Sequence, residues 1–241
     1  MLSYCKLCGK FRPLHDSHVL PEFVYRPAYD LSHTAIKLDL DHNKKLKRQR
    51  GFTERLLCKD CEIHISRWET YFARIWFDNL NSLRPKMLTN NVVIIARIDY
   101  APFKLFHLSL IWRAGVSSRY EFKNIRLGAQ EPKIRKLILA EDPGAPEDYA
   151  FFGIALRKPD TKTFQDKLLS APAASRVNGH WVYTLIFGGV LWHYWVSGHT
   201  DGRLVPYIFG RDGKLTLAVQ DWTKNIFIRA MAREIVERQQ S

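Results

Sequence analysis

The sequence predicts an α+β protein in two parts: an N-terminal zinc-stapled module, then a domain of mixed helices and antiparallel sheet. Three observations carry that expectation. The four cysteines, the only ones in 241 residues, fall as two Cys-x-x-Cys pairs, Cys5/Cys8 and Cys58/Cys61. Trp68, Tyr71, Phe72, Ile75 and Trp76 recur at i, i+3, i+4, i+7 and i+8, the apolar face of a helix over 60–80. Further on, Asn178-Gly179, Gly188-Gly189 and Asp212-Gly213 mark turns between runs of β-branched and aromatic residues.

The cysteine pairs come first. Cys-x-x-Cys lets two thiolates of one tight turn reach one metal, and two such pairs make a tetrahedral four-sulfur zinc site. Gly9 follows Cys8, where a sharp turn calls for positive φ. Two disulfides are the competing reading, but no signal peptide is expected before Cys5. A thioredoxin-like redox pair needs a strand-to-helix junction, and neither pair is expected at one. The pairs lie much further apart than the roughly 15–20 residues of an ordinary zinc ribbon. The metal therefore closes a long loop that carries Asp16-Ser17-His18-Val19-Leu20-Pro21 and a basic run, before Leu57-Cys58 and Cys61-Glu62.

That arrangement resembles the HNH (ββα-metal) endonuclease family in a zinc-stapled form, over residues 1 to about 75. The residues carrying the resemblance are Cys5, Cys8, Ser17-His18-Val19-Leu20-Pro21, Leu57-Cys58 and Cys61-Glu62. It implies a metal-dependent nuclease that hydrolyses phosphodiester bonds, in DNA rather than RNA, with double-stranded DNA as the foremost partner. It also implies a place among bacterial antiphage effectors. His18 would be the general base, a task suited to an imidazole because histidine ordinarily titrates near neutrality. Glu62 would hold a catalytic Mg²⁺ or Mn²⁺ beside the structural Zn²⁺. The sequence departs from the family pattern at three places. Ser17 stands where an aspartate binds the metal, Glu62 where a histidine follows the last cysteine, and the expected asparagine is missing near Gly51–Glu54. Asp16, Asn43, Glu54 and His64 are secondary ligand candidates. On a helix from about Asp60, Glu62, Ser66 and Glu69 share a face, whereas His64 points elsewhere and stacks on Trp68.

Residues 24–50 read as less regular, broken at Tyr25-Arg26-Pro27. They include the cations Lys44, Lys45, Lys47, Arg48 and Arg50, which with Arg55 are the candidate phosphate contacts. The helix over 60–80 ends between Asn79 and Pro85, and a boundary is expected at 82–91. The two units are then 1–81, the nuclease-like module, and 92–241, which would recognise a protein partner or a nucleic-acid structure.

In the second unit Val92–Ile98 reads as a strand and 102–114 as a helix apolar nearly all round, hence buried. A short helix over 132–140 starts with a proline, 148–156 reads as a strand and 163–169 as a short helix. Strands follow near 180–187, 190–197, 203–209 and 214–219, then a last helix over 224–238 capped by Thr223. His193, His199 and Asp201 make a poor catalytic triad, since strand faces and a turn separate them.

Composition limits the partners. With 37 Lys and Arg against 24 Asp and Glu, the net charge is +13, which points to a polyanion such as nucleic acid or an anionic membrane. The stretch 181–195 is too short to span a bilayer and is centred on two glycines. Unpaired thiols serving a metal suit a reducing, cytoplasmic setting. The same residues allow two other readings: a zinc-dependent nucleic-acid-binding module without catalysis, and a subunit whose activity a partner gates.

Overall fold

Period-two patterns and glycine turns build the N-terminal sheet. In the computed structural model, which describes residues 2–31, 35–39, 44–48, 51–83, 85–161 and 163–240 (backbone alone for 35–39, 44–48, 81–82, 234–236 and 238–240), β1 (Leu2–Tyr4) pairs antiparallel with β2 (Phe11–His18). Gly9 turns the chain between them with φ 72°. Short 3-10 turns at Glu22–Val24 and Arg26–Ala28 follow, the second around Pro27. Next come β3 (Ala35–Asp39) and β4 (Lys44–Arg48), an antiparallel pair of their own. This corrects the expectation of an irregular 24–50 segment. Ile36-Lys37-Leu38-Asp39 and Lys45-Leu46-Lys47 alternate apolar with charged residues, a strand period that the density of cations obscures. β5 (Thr53–Cys58) lies against β2, giving the order β1-β2-β5, and runs straight into α1 (Lys59–Ala73). α1 widens into a π-helical turn at Arg74–Asp78.

The remaining elements are β6 (Lys86–Thr89), β7 (Val92–Ile95), α2 (Tyr100–Val116), α3 (Glu131–Ala140), β8 (Phe151–Arg157), β9 (Ala173–Val177), β10 (His180–Phe187), β11 (Val190–Val196), β12 (Leu215–Asp221) and α4 (Ile226–Gln240). Seven strands form one sheet in the order β6-β7-β12-β8-β11-β10-β9. All neighbours are antiparallel except β12 and β8. Asn178-Gly179 and Gly188-Gly189 close the hairpins β9–β10 and β10–β11, with all four residues at positive φ. Among the described residues no helix is long and apolar enough to cross a membrane.

Three local expectations fail for identifiable reasons. Residues 163–169 form no helix; Phe164 instead makes a bridge to Arg157 at the end of β8. The strand expected near 203–209 is a 3-10 helix over Gly202–Tyr207 with Pro206 inside it, and Asp201 accepts from the Arg203 N–H at its start. Proline cannot donate to a strand ladder, which disfavours the sheet there. The cap of α4 is Asn225, whose Oδ1 accepts from the Phe227 and Ile228 N–H groups at 3.0 and 3.2 Å. Thr223 belongs to the preceding turn, where its N–H and hydroxyl bond Asp221.

The apolar faces of α1 and α2 meet. Phe72 stacks on Phe106 with ring centroids 4.0 Å apart, and Phe103, Trp76, Phe187 and Trp192 continue the cluster onto the large sheet. One hydrophobic core thus runs from Leu7 and Leu56 to Leu217. Trp76 donates its indole N–H to the Gly188 carbonyl at 2.9 Å. A Cβ at Gly188 would lie 2.7 Å from that indole nitrogen, so the turn needs glycine for space as well as for its φ of 59°.

α2 is buried as its pattern requires, yet it also buries Lys104, His107, Ser109 and Arg113. Each has a hydrogen-bond partner, Ser109 donating to the Phe106 carbonyl at 2.8 Å. Lys104 Nζ reaches the Tyr100 hydroxyl at 3.1 Å and the Ala145 carbonyl. His107 Nδ1 is 2.9 Å from the Tyr194 hydroxyl, and burial holds this imidazole well below its ordinary pKa. Burial likewise lowers Lys104 to about 8. The unfolded chain therefore binds more protons than the folded one between about pH 8 and the ordinary lysine value, and stability rises with pH there. Lys104→Met should remove that contribution. The wild-type stability should gain on the variant by roughly 3 kcal/mol between about pH 7 and about pH 10, as read by urea unfolding.

Candidate metal centre and the histidine site beside it

Three elements meet at one point. The turn between β1 and β2 carries Cys5 and Cys8, β5 ends on Cys58, and the first turn of α1 carries Cys61. Their four Sγ atoms all lie within 4.8 Å of one another, and none forms a disulfide. Cys8 Sγ and Cys58 Sγ are 3.8 Å apart. A tetrahedral zinc with Zn–S bonds of about 2.3 Å separates its sulfurs by about 3.8 Å, so the cluster is compatible with structural zinc. Cys58/Cys61 does sit at a strand-to-helix junction, contrary to expectation, but both its sulfurs face the other pair.

Backbone donors complete the site. Gly9 N–H bonds the Cys5 carbonyl at 2.8 Å and Cys58 N–H points at Cys5 Sγ at 3.4 Å. β5 bulges at Leu56, between the pairs His15↔Leu57 and Asp16↔Arg55. The freed Leu56 carbonyl accepts from Lys6 N–H at 2.9 Å, tying the first knuckle to β5. The thiol of Cys61 hydrogen-bonds Cys5 and draws its pKa down to about 4, while the same contact pushes Cys61 up. Four crowded thiols thus cannot all ionise together without a cation, which is the chemistry a metal supplies.

His18 ends β2 at the far end from the cysteines, opposite Thr53. Its Nε2 is buried and lies 3.1 Å from Glu22 Oε2, out of hydrogen-bond alignment, while the side chain as a whole is 34% exposed. Glu22 is itself fixed: Tyr29 donates its hydroxyl to Oε1 at 2.5 Å and Gly51 its N–H to Oε2 at 3.0 Å. With a carboxylate at Nε2, Nδ1 is the nitrogen left for other chemistry. Sequence reasoning missed Glu22. Its only signal was a position four residues after His18, and that spacing brings side chains together reliably only in a helix.

The His18 carbonyl accepts from Arg113 at 2.8 Å, and the same buried guanidinium pairs with Glu69 at 2.6 Å. α2 therefore holds the backbone of the candidate base, and Glu69 is committed to that task. Ser17, one residue earlier, is 1% exposed. Its hydroxyl accepts from Leu57 N–H at 3.1 Å and donates to Glu62 Oε1. Glu62 thus meets β2 at Ser17, next to His18.

The other candidates scatter. His64 turns away from Glu62, with Nε2 2.9 Å from the Ile138 carbonyl and its ring edge-on to Trp68 at 5.0 Å. Glu54 takes the Ser117 and Ser118 hydroxyls at 2.5 and 2.6 Å; burial works to raise its pKa, but these bonds and Arg119 bring it below the ordinary value. Asp16 and Arg55 face each other at 3.5 Å on the exposed side. Lys44, Lys45, Lys47 and Arg48 lie on β4, opposite Asp39, Leu38, Ile36 and Ala35. Arg50 and Asn43 lie outside the described residues. In the second half, His193 bonds Thr184 and Asp201 bonds Arg203, so no triad assembles. Among the described residues the cysteines are the one group of three or more histidine, cysteine or carboxylate ligands that converges. Glu62 is thus no part of a preformed Mg²⁺ or Mn²⁺ cage.

Compared with protein-family models, with curated proteins and with solved structures, the chain matches none.

Purified protein should carry one metal ion per chain by elemental analysis. Cys5→Ala or Cys61→Ala should abolish that stoichiometry, and a strong chelator should lower the wild-type thermal midpoint while leaving the variants' midpoints unmoved.

Proposed function

We propose that this chain is a zinc-stapled ββα module that binds nucleic acid and hydrolyses its phosphodiester bonds, with His18 as general base. One observation carries the reading. β2 and β5 run antiparallel and β5 passes through the second cysteine pair into α1, so that Ser17 meets Glu62, while His18, the next residue of β2, lies against Glu22. The resemblance to the HNH family rests on those same positions, 17, 18 and 62. The four cysteines are the zinc ligands in this reading.

His18 would offer Nδ1 to a water, the Glu22 carboxylate lies 3.1 Å from Nε2 where its charge would favour the protonated ring, and Arg113 fixes the backbone behind it. A carboxylate that stabilises the protonated form of an imidazole is a recurrent device for general bases. Magnesium commonly binds one or two carboxylates together with the substrate's phosphate. Mg²⁺ or Mn²⁺ would accordingly arrive with the substrate and take Glu62 as its protein ligand, where its charge would offset that building on the phosphate. Lys44, Lys45, Lys47, Arg48 and Arg50 supply cations for the backbone, and the net charge of +13 favours a polyanion.

A second reading, binding without cleavage, is favoured by the Ser17–Glu62 hydrogen bond, which satisfies Glu62 Oε1 without a cation.

The test is nicking of supercoiled plasmid in Mg²⁺ or Mn²⁺, with metal content measured alongside. His18→Ala at equal zinc content should cut about 10²–10⁴-fold more slowly. Plasmid binding that falls steeply with salt, with no cutting by wild type in either metal, on DNA or RNA, would leave the binding reading.

A further inference from the structure

The open face of the N-terminal ribbon carries a feature the His18 site does not use. Leu2 pairs with Pro13 and Tyr4 with Phe11 across β1 and β2, so the four share one face. All are exposed, Tyr4 by 67% and Phe11 by 57%. The two rings meet edge to face with centroids 5.1 Å apart. Among the described residues neither ring joins a hydrophobic cluster. The ribbon's other face is turned to α1, where Arg12 pairs with Asp60.

Cations flank this aromatic pair. Lys6 and Lys10, on either side of the first knuckle, are exposed and have no carboxylate partner among the described residues. α3 docks beside the same knuckle, with Arg135 donating to the Leu7 carbonyl and Lys133 and Lys136 exposed along the helix. Exposed cations alone would suit the backbone of a duplex, whose base faces are hidden. Exposed rings between unneutralised cations suit an unpaired strand, whose bases stack while its phosphates meet the charges.

We infer that the β1–β2 ribbon is a binding platform for single-stranded nucleic acid, with bases stacked on Tyr4 and Phe11 and phosphates at Lys6 and Lys10. The inference rests on the nucleic-acid reading above and not on cleavage. Pro13 and His15 continue the exposed face down β2, which lengthens the platform away from the knuckle.

Fluorescence anisotropy with a labelled oligothymidylate and with a blunt duplex tests this on the full chain, with zinc content checked in every variant. Tyr4→Ala/Phe11→Ala should weaken single-strand binding at least tenfold and duplex binding little, while Tyr4→Phe keeps wild-type affinity. Lys6→Ala/Lys10→Ala should flatten the salt dependence on the single strand by about 1.4 in the log–log slope, about 0.7 per lost phosphate contact. Equal losses on both probes, or unchanged single-strand affinity in the aromatic variant, would overturn the platform and leave the nucleic-acid reading standing. A drop from dimer to monomer in light scattering with single-strand affinity intact would make the face a self-contact and also overturn it. Binding of neither probe by wild type would overturn both. Stacking without plasmid nicking would overturn cleavage alone.

Discussion

The convergence of four sulfurs fixes the N-terminal architecture. One point ties the β1–β2 turn, the end of β5 and the first turn of α1, so the strand pair and the helix leaving it share one origin. Without that tie the ends of the long intervening segment would have to be brought together against loop-closure entropy by the three-stranded sheet and the core it shares with α2. The Leu56 bulge shows the constraint at work. One extra residue in β5 turns its carbonyl out of the ladder and onto the Lys6 N–H. Register beyond the bulge decides that Ser17 faces inward and Asp16 outward, and so what lies beside His18.

A second constraint acts from the other half of the chain. Arg113 is almost completely buried, and its guanidinium meets the His18 carbonyl, Glu69 and the Ser109 carbonyl of its own helix. Burying an ion pair costs desolvation that its attraction only partly repays, so such a pair is weak evidence of extra stability. It is stronger evidence of positional demand: removing either partner strands a charge in the core. The arrangement makes β2, α1 and α2 mutually dependent at the residue where the candidate base sits. The shared aromatic core around Phe72 and Phe106 supplies the apolar burial that makes this polar junction tolerable.

What the sequence made legible was local chemistry. Cysteine spacing, the 3.6-residue period of α1, the apolar run of α2 and the paired glycines each act over a few residues, and each lies where it was expected. What stayed hidden depended on partners far along the chain. Glu22 meets His18 because a 3-10 turn, not a helix, follows β2. Arg113 looked like an ordinary cation at the end of an apolar helix until Glu69 and the His18 carbonyl surrounded it. Thr223 and Asn225 are both good caps by type, and the turn held by Asp221 decided between them. In β4 the sheer density of lysine masked a period-two pattern. Near Pro206 the β-branched and aromatic content outweighed the one residue that cannot sit in a ladder.

The Ser17–Glu62 contact separates two kinds of metal dependence. An aspartate at position 17 would put two carboxylates within hydrogen-bond reach, and like charges so close call for a cation or a shared proton. Serine removes that demand. Its hydroxyl donates to Glu62 and accepts from Leu57 N–H, so the buried group is satisfied by protein atoms alone. The junction of β2 with α1 therefore needs no divalent ion to keep its shape. The cysteine cluster differs: its four sulfurs, all within 4.8 Å of one another, are placed to take one ion directly. On the proposed reading, a cation at Glu62 would arrive with the phosphodiester rather than be held beforehand.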